Sequence, residues 1–321
     1  MGTKALITGI SGFVGSHLAE HLLSETDWLV AGTVFGDESN IDHLRDRLAL
    51  YPANLSHLDT VLGVLREVAP DLIFHLAAQP VPSLSRRDPW GTLETNIRIQ
   101  LNILEAVVRL GLSCRVLVVG SSEEYGLVDP AHLPVSEDAP LRPLNAYGVS
   151  KIAQDFMGLQ YHLAYGLHVV RMRPFNHIGP RQRLGFVAPD FARQVAEVEA
   201  GLRPPVVYVG NLDVHRDFSD VRDVVRAYRM AIMHGKPGSV YNLGSGVAHS
   251  VREMLHCLIS FTGMKIQVEV DPHLSRPSDV PYLVADITRI REEVGWEPLI
   301  PFEQSLRDVL DEWRGRVRGS A

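Results

Sequence analysis

Seven residues constrain this chain more than any others: Gly9-Ile10-Ser11-Gly12-Phe13-Val14-Gly15. They lie between a short β-type run, Lys4-Ala5-Leu6-Ile7-Thr8, and a helical stretch from Ser16 to Ser24. Glycines spaced three apart at a strand-to-helix junction each meet a physical demand. One permits the sharp turn, one lets backbone approach a pyrophosphate, and one lets helix pack against strand. The helix then presents unpaired N–H groups and its positive dipole end to an anion. Because the pattern opens a βαβ series, it predicts a dinucleotide site rather than a purely structural turn.

The series continues through the first half. Strands are expected at Leu29–Thr33, Leu48–Tyr51, Asp71–Leu76, Arg115–Val119 and His168–Arg173. Amphipathic segments such as Leu58–Val68 and Leu93–Leu110 separate them. Strands alternating with helix-length spacers predict a mostly parallel, doubly wound α/β sheet of Rossmann type, covered on both faces. After Arg173 the pattern turns irregular and proline-rich, with short strands at Val206–Val209, Val240–Leu243 and Ile266–Val270. Helices are expected near Asp190–Glu199, Val221–Met233 and Val251–Phe261. The expected division is a dinucleotide-binding domain over 1–176 and about 217–245, with a smaller mixed α/β substrate domain over about 177–216 and 246–321.

Composition narrows the classes. With 45% hydrophobic and 21% charged residues, the 321-residue chain is an ordinary globule, not a disordered or fibrous one. A net charge of −7 without a basic tract excludes nucleic acid and anionic membrane as expected partners. Cys114 and Cys257 stand far apart, so neither a disulfide framework nor a zinc site is indicated; the histidines lack ligand spacing, and no metal is expected. No apolar run is long enough to span a bilayer, and no signal-peptide pattern precedes the first strand, so a cytoplasmic location is expected.

A second signal is Tyr147-Gly148-Val149-Ser150-Lys151. Residues four apart share a helix face, so the phenol and the ammonium point the same way. A nearby ammonium favours phenolate and is expected to bring the phenol towards the working range of an acid–base catalyst. With nine tyrosines and four lysines in the chain, only about 0.1 such pairs arise by chance, against the alternative of a packed tyrosine and a surface lysine. A third signal, Gly120-Ser121-Ser122-Glu123-Glu124-Tyr125-Gly126, follows an apolar strand, where hydroxyls face the ligand crevice of a parallel sheet. Alone, such serines are more often caps or turns. Trp28, Trp90, Trp296 and Trp313 read as packing residues, and His75 as strand-end structure.

Glycine turn, Ser121, Tyr147 and Lys151 together resemble the extended short-chain dehydrogenase/reductase family, over nearly the whole chain. The resemblance implies that Ser121, Tyr147 and Lys151 are catalytic and that the cofactor is NADP(H) or NAD(H). The family's cofactor contacts fall on Gly9, Gly12, Phe13, Val14 and Gly15, on Leu76, Ala77 and Ala78 of the His75-to-Gln79 segment, and on Tyr147, Lys151 and Pro174. Asn54-Leu55 stands where the family has Asp-Leu against adenine, and Asn96 matches its asparagine of the next helix. No acid ends the second strand and no arginine directly follows it, so NAD versus NADP stays open.

Within that family the chain resembles GDP-6-deoxy-D-mannose reductases through four segments: Gly120–Gly126, Arg173–Pro180, Arg216–Asp223 and Arg276–Pro281. The implied reaction reduces the C4 keto group of GDP-4-keto-6-deoxy-D-mannose to GDP-D-rhamnose. Ser122, Asn176, Arg181, Arg216, Arg276 and Asp279 are the implied substrate contacts, the arginines serving the diphosphate. GDP-mannose 4,6-dehydratases and related epimerases are the alternative. The dehydratases carry their base where Glu123 stands, but Gln-Asp where this chain has Phe13-Val14, and a basic segment where it has Phe35-Gly36-Asp37-Glu38. Glu123 therefore orients the sugar, remains from dehydratase chemistry, or is a solvent-facing acid. A non-enzymatic dinucleotide sensor is the other class. The helices at Leu93–Leu110 and Tyr147–Ala164 resemble those that pair in the family's homodimers; Leu101, Leu104 and Val108 form a stripe that core packing would also produce.

Overall fold

The structure is a computed structural model and describes residues 2–80, 82–274 and 280–319. Seven parallel strands form its main sheet: β1 (Lys4–Thr8), β2 (Leu29–Val34), β3 (Ala49–Pro52), β4 (Leu72–His75), β5 (Arg115–Val119), β6 (His168–Pro174) and β10 (Val240–Leu243), in the order β10-β6-β5-β4-β1-β2-β3. The order reverses beside β1, which is the switch point where ligands bind in such sheets. Strand segments such as Ala5–Ile7, Ile73–Phe74 and Val116–Val118 are fully buried because helices cover both faces. One face carries α1 (Phe13–Glu25) and α7 (Val221–His234); the other carries α2 (Leu58–Val68), α4 (Pro89–Arg109) and α5 (Ala146–Tyr165). A short α3 (Pro82–Arg87) precedes α4. This is the doubly wound architecture expected.

The remaining elements build a third core. It comprises β7 (Asn176–Ile178), α6 (Val187–Glu199), β8 (Val206–Val209), β9 (His215–Asp220), β11 (Ala248–Ser250), α8 (Val251–Ser260), β12 (Gln267–Val270), β13 (Tyr282–Leu283) and α10 (Phe302–Gly319). Here α6, α8 and α10 bury Phe191, Val195, Leu255, Leu306 and Leu310 together. The short α9 (Thr288–Val294) packs against the main sheet's core instead, through Ile290 and Val294. Strand β9 pairs with β7, β11 and β13, not with the large sheet, so the expected boundary near 217 cuts through a strand. Three-residue strands and a polar final helix carry too little periodic signal to be read individually.

Two expectations need correction. Leu104 lies in the core while Leu101 stays exposed, so the apolar stripe of α4 divides between sheet and surface. Trp90 is 71% exposed at the start of α4, whereas Trp296 is fully buried as expected of a packing residue. Among the described residues no helix is long and apolar enough to cross a membrane.

Candidate active site

The glycine turn forms as its spacing requires. Gly9 adopts φ +69°, a left-handed conformation that costs glycine little. A Cβ on Gly15 would overlap the Gly9 carbonyl oxygen, so only glycine lets α1 pack this closely. Gly9 also approaches Ala77, whose Cα would lie 3.1 Å from an added Cβ. The turn and the Leu76-Ala77-Ala78 segment are thereby brought together. Thr8 fixes that segment: its hydroxyl accepts from the Leu76 and Ala77 N–H groups at 3.0 and 3.1 Å. The same hydroxyl meets His75 Nδ1 at 2.9 Å, and burial pushes His75 down to about 3, so it stays neutral as part of the strand end. No side chain caps Gly12, leaving the first N–H groups of α1 for an anion. An uncapped helix start behind a turn whose only side chains, Ile10 and Ser11, are buried fits a dinucleotide pyrophosphate.

Across β5, Ser121 caps a short 3₁₀ turn. Its hydroxyl accepts from the Glu123 N–H at 3.2 Å, and Glu124 accepts from the Ser121 N–H at 2.8 Å. Asn145 caps α5 by accepting from the Gly148 N–H at 2.8 Å, which sets Tyr147 in the first turn. Asn145 also donates to Glu123 Oε2 at 2.8 Å, tying α5 to the Ser121 turn. Tyr147 is buried, and the Ser121 side chain lies close enough to its phenol to favour the ionised form. One turn on, Lys151 Nζ lies 5.7 Å from the Tyr147 ring centroid and donates to the Val119 carbonyl at 2.9 Å.

The electrostatics differ from expectation. Burial pushes the Tyr147 phenol well above the ordinary range, offset only in part by the Ser121 side chain. Lys151 does not bring it down: the ammonium is itself desolvated, and burial lowers it to about 8. Burial of the phenol outweighs any help from its neighbours, because removing water penalises the phenolate more than the Ser121 side chain compensates. Tyr147 is consequently a protonated phenol at neutral pH.

Asn96 joins the cofactor segment to this helix. Its Oδ1 accepts from the Gln79 N–H at 2.7 Å, while Nδ2 donates to Ser150 Oγ at 2.9 Å. Ser150 in turn donates to the Tyr147 carbonyl at 2.7 Å. Thr8, Asn145 and Ser150 were not singled out from the sequence. Asn145 could have been, since an asparagine three residues before Gly148 is a helix-cap signature.

Other expected site residues scatter. Phe13 stacks on His177 at 5.9 Å between centroids, so it packs against β7; Val14 is half-buried. Pro174 ends β6, buried beside β10. Asn54 Oδ1 is occupied by the Ser56 N–H and hydroxyl at 3.0 and 2.6 Å, and Leu55 lies in the core. Ser122 is buried and Asn176 is exposed. Arg216 on β9 is half-buried, within electrostatic reach of Glu123. Arg181 has a partner other than substrate. Its guanidinium donates to Glu20 at 2.6 and 2.7 Å and meets His17 at 2.8 Å, both on α1, because its left-handed backbone (φ +69°) turns the side chain that way. Arg276 and Asp279 lie outside the described residues.

Sheet order, glycine turn and the Ser121–Tyr147–Lys151 cluster together define an extended short-chain dehydrogenase/reductase. Residues 6–309 match the family model described as GDP-mannose 4,6 dehydratase, and the chain belongs to that family. It is 36% identical over 319 residues to a GDP-6-deoxy-D-mannose reductase of Pseudomonas aeruginosa, covering 99% of each chain. It is 30% identical over 325 residues to GDP-mannose 4,6 dehydratase 1 of Arabidopsis thaliana, covering 96% of this chain and 89% of that one. The solved structure of RMD from Pseudomonas aeruginosa complexed with NADPH superposes with a TM-score of 0.87 at 35% identity, covering 98% and 99% of the two chains.

Proposed function

We propose that this chain is an NAD(P)H-dependent reductase that converts the C4 keto group of GDP-4-keto-6-deoxy-D-mannose to the alcohol, giving GDP-D-rhamnose. The observation that carries the reading is the Ser121–Tyr147–Lys151 cluster buried at the end of β5, on a chain similar end to end to a GDP-6-deoxy-D-mannose reductase. Reduction of a ketone needs a proton donor beside the carbonyl, whereas abstraction from an alcohol needs phenolate. When bound, the reduced nicotinamide supplies the hydride.

Tyr147 donates its phenolic proton to the C4 oxygen. Ser121 hydrogen-bonds the same oxygen as charge builds there. Lys151, anchored on Val119, holds positive charge beneath the ring and faces the cofactor ribose. Gly9, Gly12 and Gly15 with Leu76, Ala77 and Ala78 seat the cofactor. Arg216 serves the diphosphate, and Glu123, held by Asn145, orients the sugar. Residues 1–176 with about 221–245 form the cofactor half, and about 177–220 with 246–321 the sugar-nucleotide half. The exposed apolar residues Leu101, Val149 and Phe156 on α4 and α5 support pairing of two copies through these helices. Two free cysteines suit the reducing cytoplasm.

Dehydratase chemistry is the second reading, favoured by Glu123 beside Tyr147 and by the family match. One assay separates them. The reductase oxidises added NADPH or NADH with GDP-4-keto-6-deoxy-D-mannose and leaves GDP-mannose unchanged. Conversion of GDP-mannose without net nicotinamide oxidation overturns the proposal, and cofactor binding without any turnover supports a sensor instead.

A further inference from the structure

Beneath Ser121 lies a cluster of buried charges that the reaction does not consume. Glu124 is fully buried on the 3₁₀ turn; Asp155, Arg171 and Arg173 are buried beside it. Asp155 continues the face of α5 that carries Tyr147 and Lys151, each four residues from the next. Arg171 donates to Asp155 Oδ1 at 2.8 Å, and Arg173 donates to Oδ2 from Nε at 2.9 Å. Glu124 Oε1 is taken by the Ser121 N–H at 2.8 Å. Its Oε2 sits 3.0 Å from Arg173 Nε, but the one hydrogen on that nitrogen is directed to Asp155. Glu124 Oε2 is therefore a buried oxygen that receives no hydrogen bond among the described residues. Glu124 Oε2 and Asp155 Oδ2 both lie about the same nitrogen, Arg173 Nε, at 3.0 and 2.9 Å, so the two carboxyls face each other across it. A proton on Oε2, donated to Asp155, gives that oxygen the partner it lacks.

We propose that Glu124 and Asp155 share one proton through Glu124 Oε2, and that this pair is the positioning element of the site, fixing Ser121 through its main-chain N–H and facing Lys151 with a charge that appears when the proton leaves. The requirement for glycine at position 120 agrees, because a Cβ there would overlap Glu124 Oε1. Burial first, then the Asp155 charge, push Glu124 up to about 8, against the pull of Arg173. Lys151 is lowered by burial to about 8 and raised by Glu124. The two groups titrate in one range and are coupled: as Glu124 ionises, the new charge retains the proton on Lys151. Tyr147, Tyr125 and Arg173 complete the charged and titratable surroundings of Glu124.

The test uses the free, full-length protein, so it does not depend on the substrate assigned above. The chain has four lysines, and ¹³Cε-lysine labelling followed by NMR gives a small set of signals to titrate. The wild-type Lys151 signal should move in a broadened, two-step curve. In Glu124→Gln, where the amide keeps the Ser121 and Asp155 contacts but cannot ionise, the curve should sharpen to one step and shift down by about half a pH unit or more. A wild-type Lys151 curve that fits one site, or a Glu124→Gln curve superimposing on wild type, overturns the proposal. The wild-type titration decides on its own if the variant does not fold.

Discussion

Gly148 stands against Glu123: a Cβ at position 148 would lie 2.6 Å from the Glu123 carbonyl oxygen. The helix carrying Tyr147 and Lys151 reaches the Ser121 turn only because this residue has no side chain. Gly148→Ala should lose roughly 1–3 kcal/mol of stability, typical of overpacking a tight contact. Activity should fall further than folding explains, because the methyl displaces Tyr147 from Ser121. Denaturant melts alongside kcat measured well below the melting point check this; unchanged kcat would show that the contact does not set catalytic geometry.

Tyr147→Phe removes the proton donor and keeps the ring. Turnover should drop roughly 10²–10⁴-fold, the usual worth of a positioned acid. Cofactor affinity, followed by fluorescence titration, should stay within about twofold of wild type, since the phenol oxygen adds little to a site built on backbone. A variant with near-normal kcat would remove Tyr147 as the acid.

Gly15→Ala tests the cradle. The added methyl collides with the Gly9 carbonyl and forces α1 away from the strand it packs on. Weaker NAD(P)H binding together with a destabilisation of roughly 1–3 kcal/mol is expected. Calorimetric titration with the cofactor and a thermal melt read both. Wild-type affinity would mean that the pyrophosphate is seated elsewhere.

The Arg181 contacts predict a pH dependence of stability. Burial raises Glu20, but hydrogen bonds from Arg181 and His43 outweigh it and bring Glu20 from 4.5 to about 2. A carboxylate held below its unfolded value adds stability above that value and loses it as pH falls towards the folded one. His17 is lowered from 6.5 to about 4 by burial and by Arg181, so the unfolded chain takes up its proton first and acid again favours unfolding. Arg181→Ala should therefore melt below wild type at about pH 7, with the gap closing as the pH approaches about 3. A gap that does not change over that range would rule out the ion pair as its source.

Much of the frame was legible in the sequence. Helix α2 and strands β1, β5, β8 and β10 begin and end where the pattern places them, since each is bounded by a clear change of periodicity. Strands β7, β9, β11 and β13 escaped notice because two to six residues of mixed polarity carry no period. Of the site, the Tyr147–Lys151 pair and the glycine turn were readable, both being local spacings. Asp155 extends the same four-residue spacing and could have been seen, but nothing in the sequence says that Glu124 lies against it.

By itself the sequence determined a parallel α/β sheet, a glycine bend ahead of the first helix, and a phenol and an ammonium on one face of another, because these depend on neighbours within a few positions. Tertiary structure alone decided that Arg181 pairs with Glu20 across 161 residues, that Tyr147 is buried beside Ser121, and that two carboxyls meet behind Ser121. Those outcomes come from desolvation and from which distant side chains share a buried space, and neither quantity exists until the chain has folded.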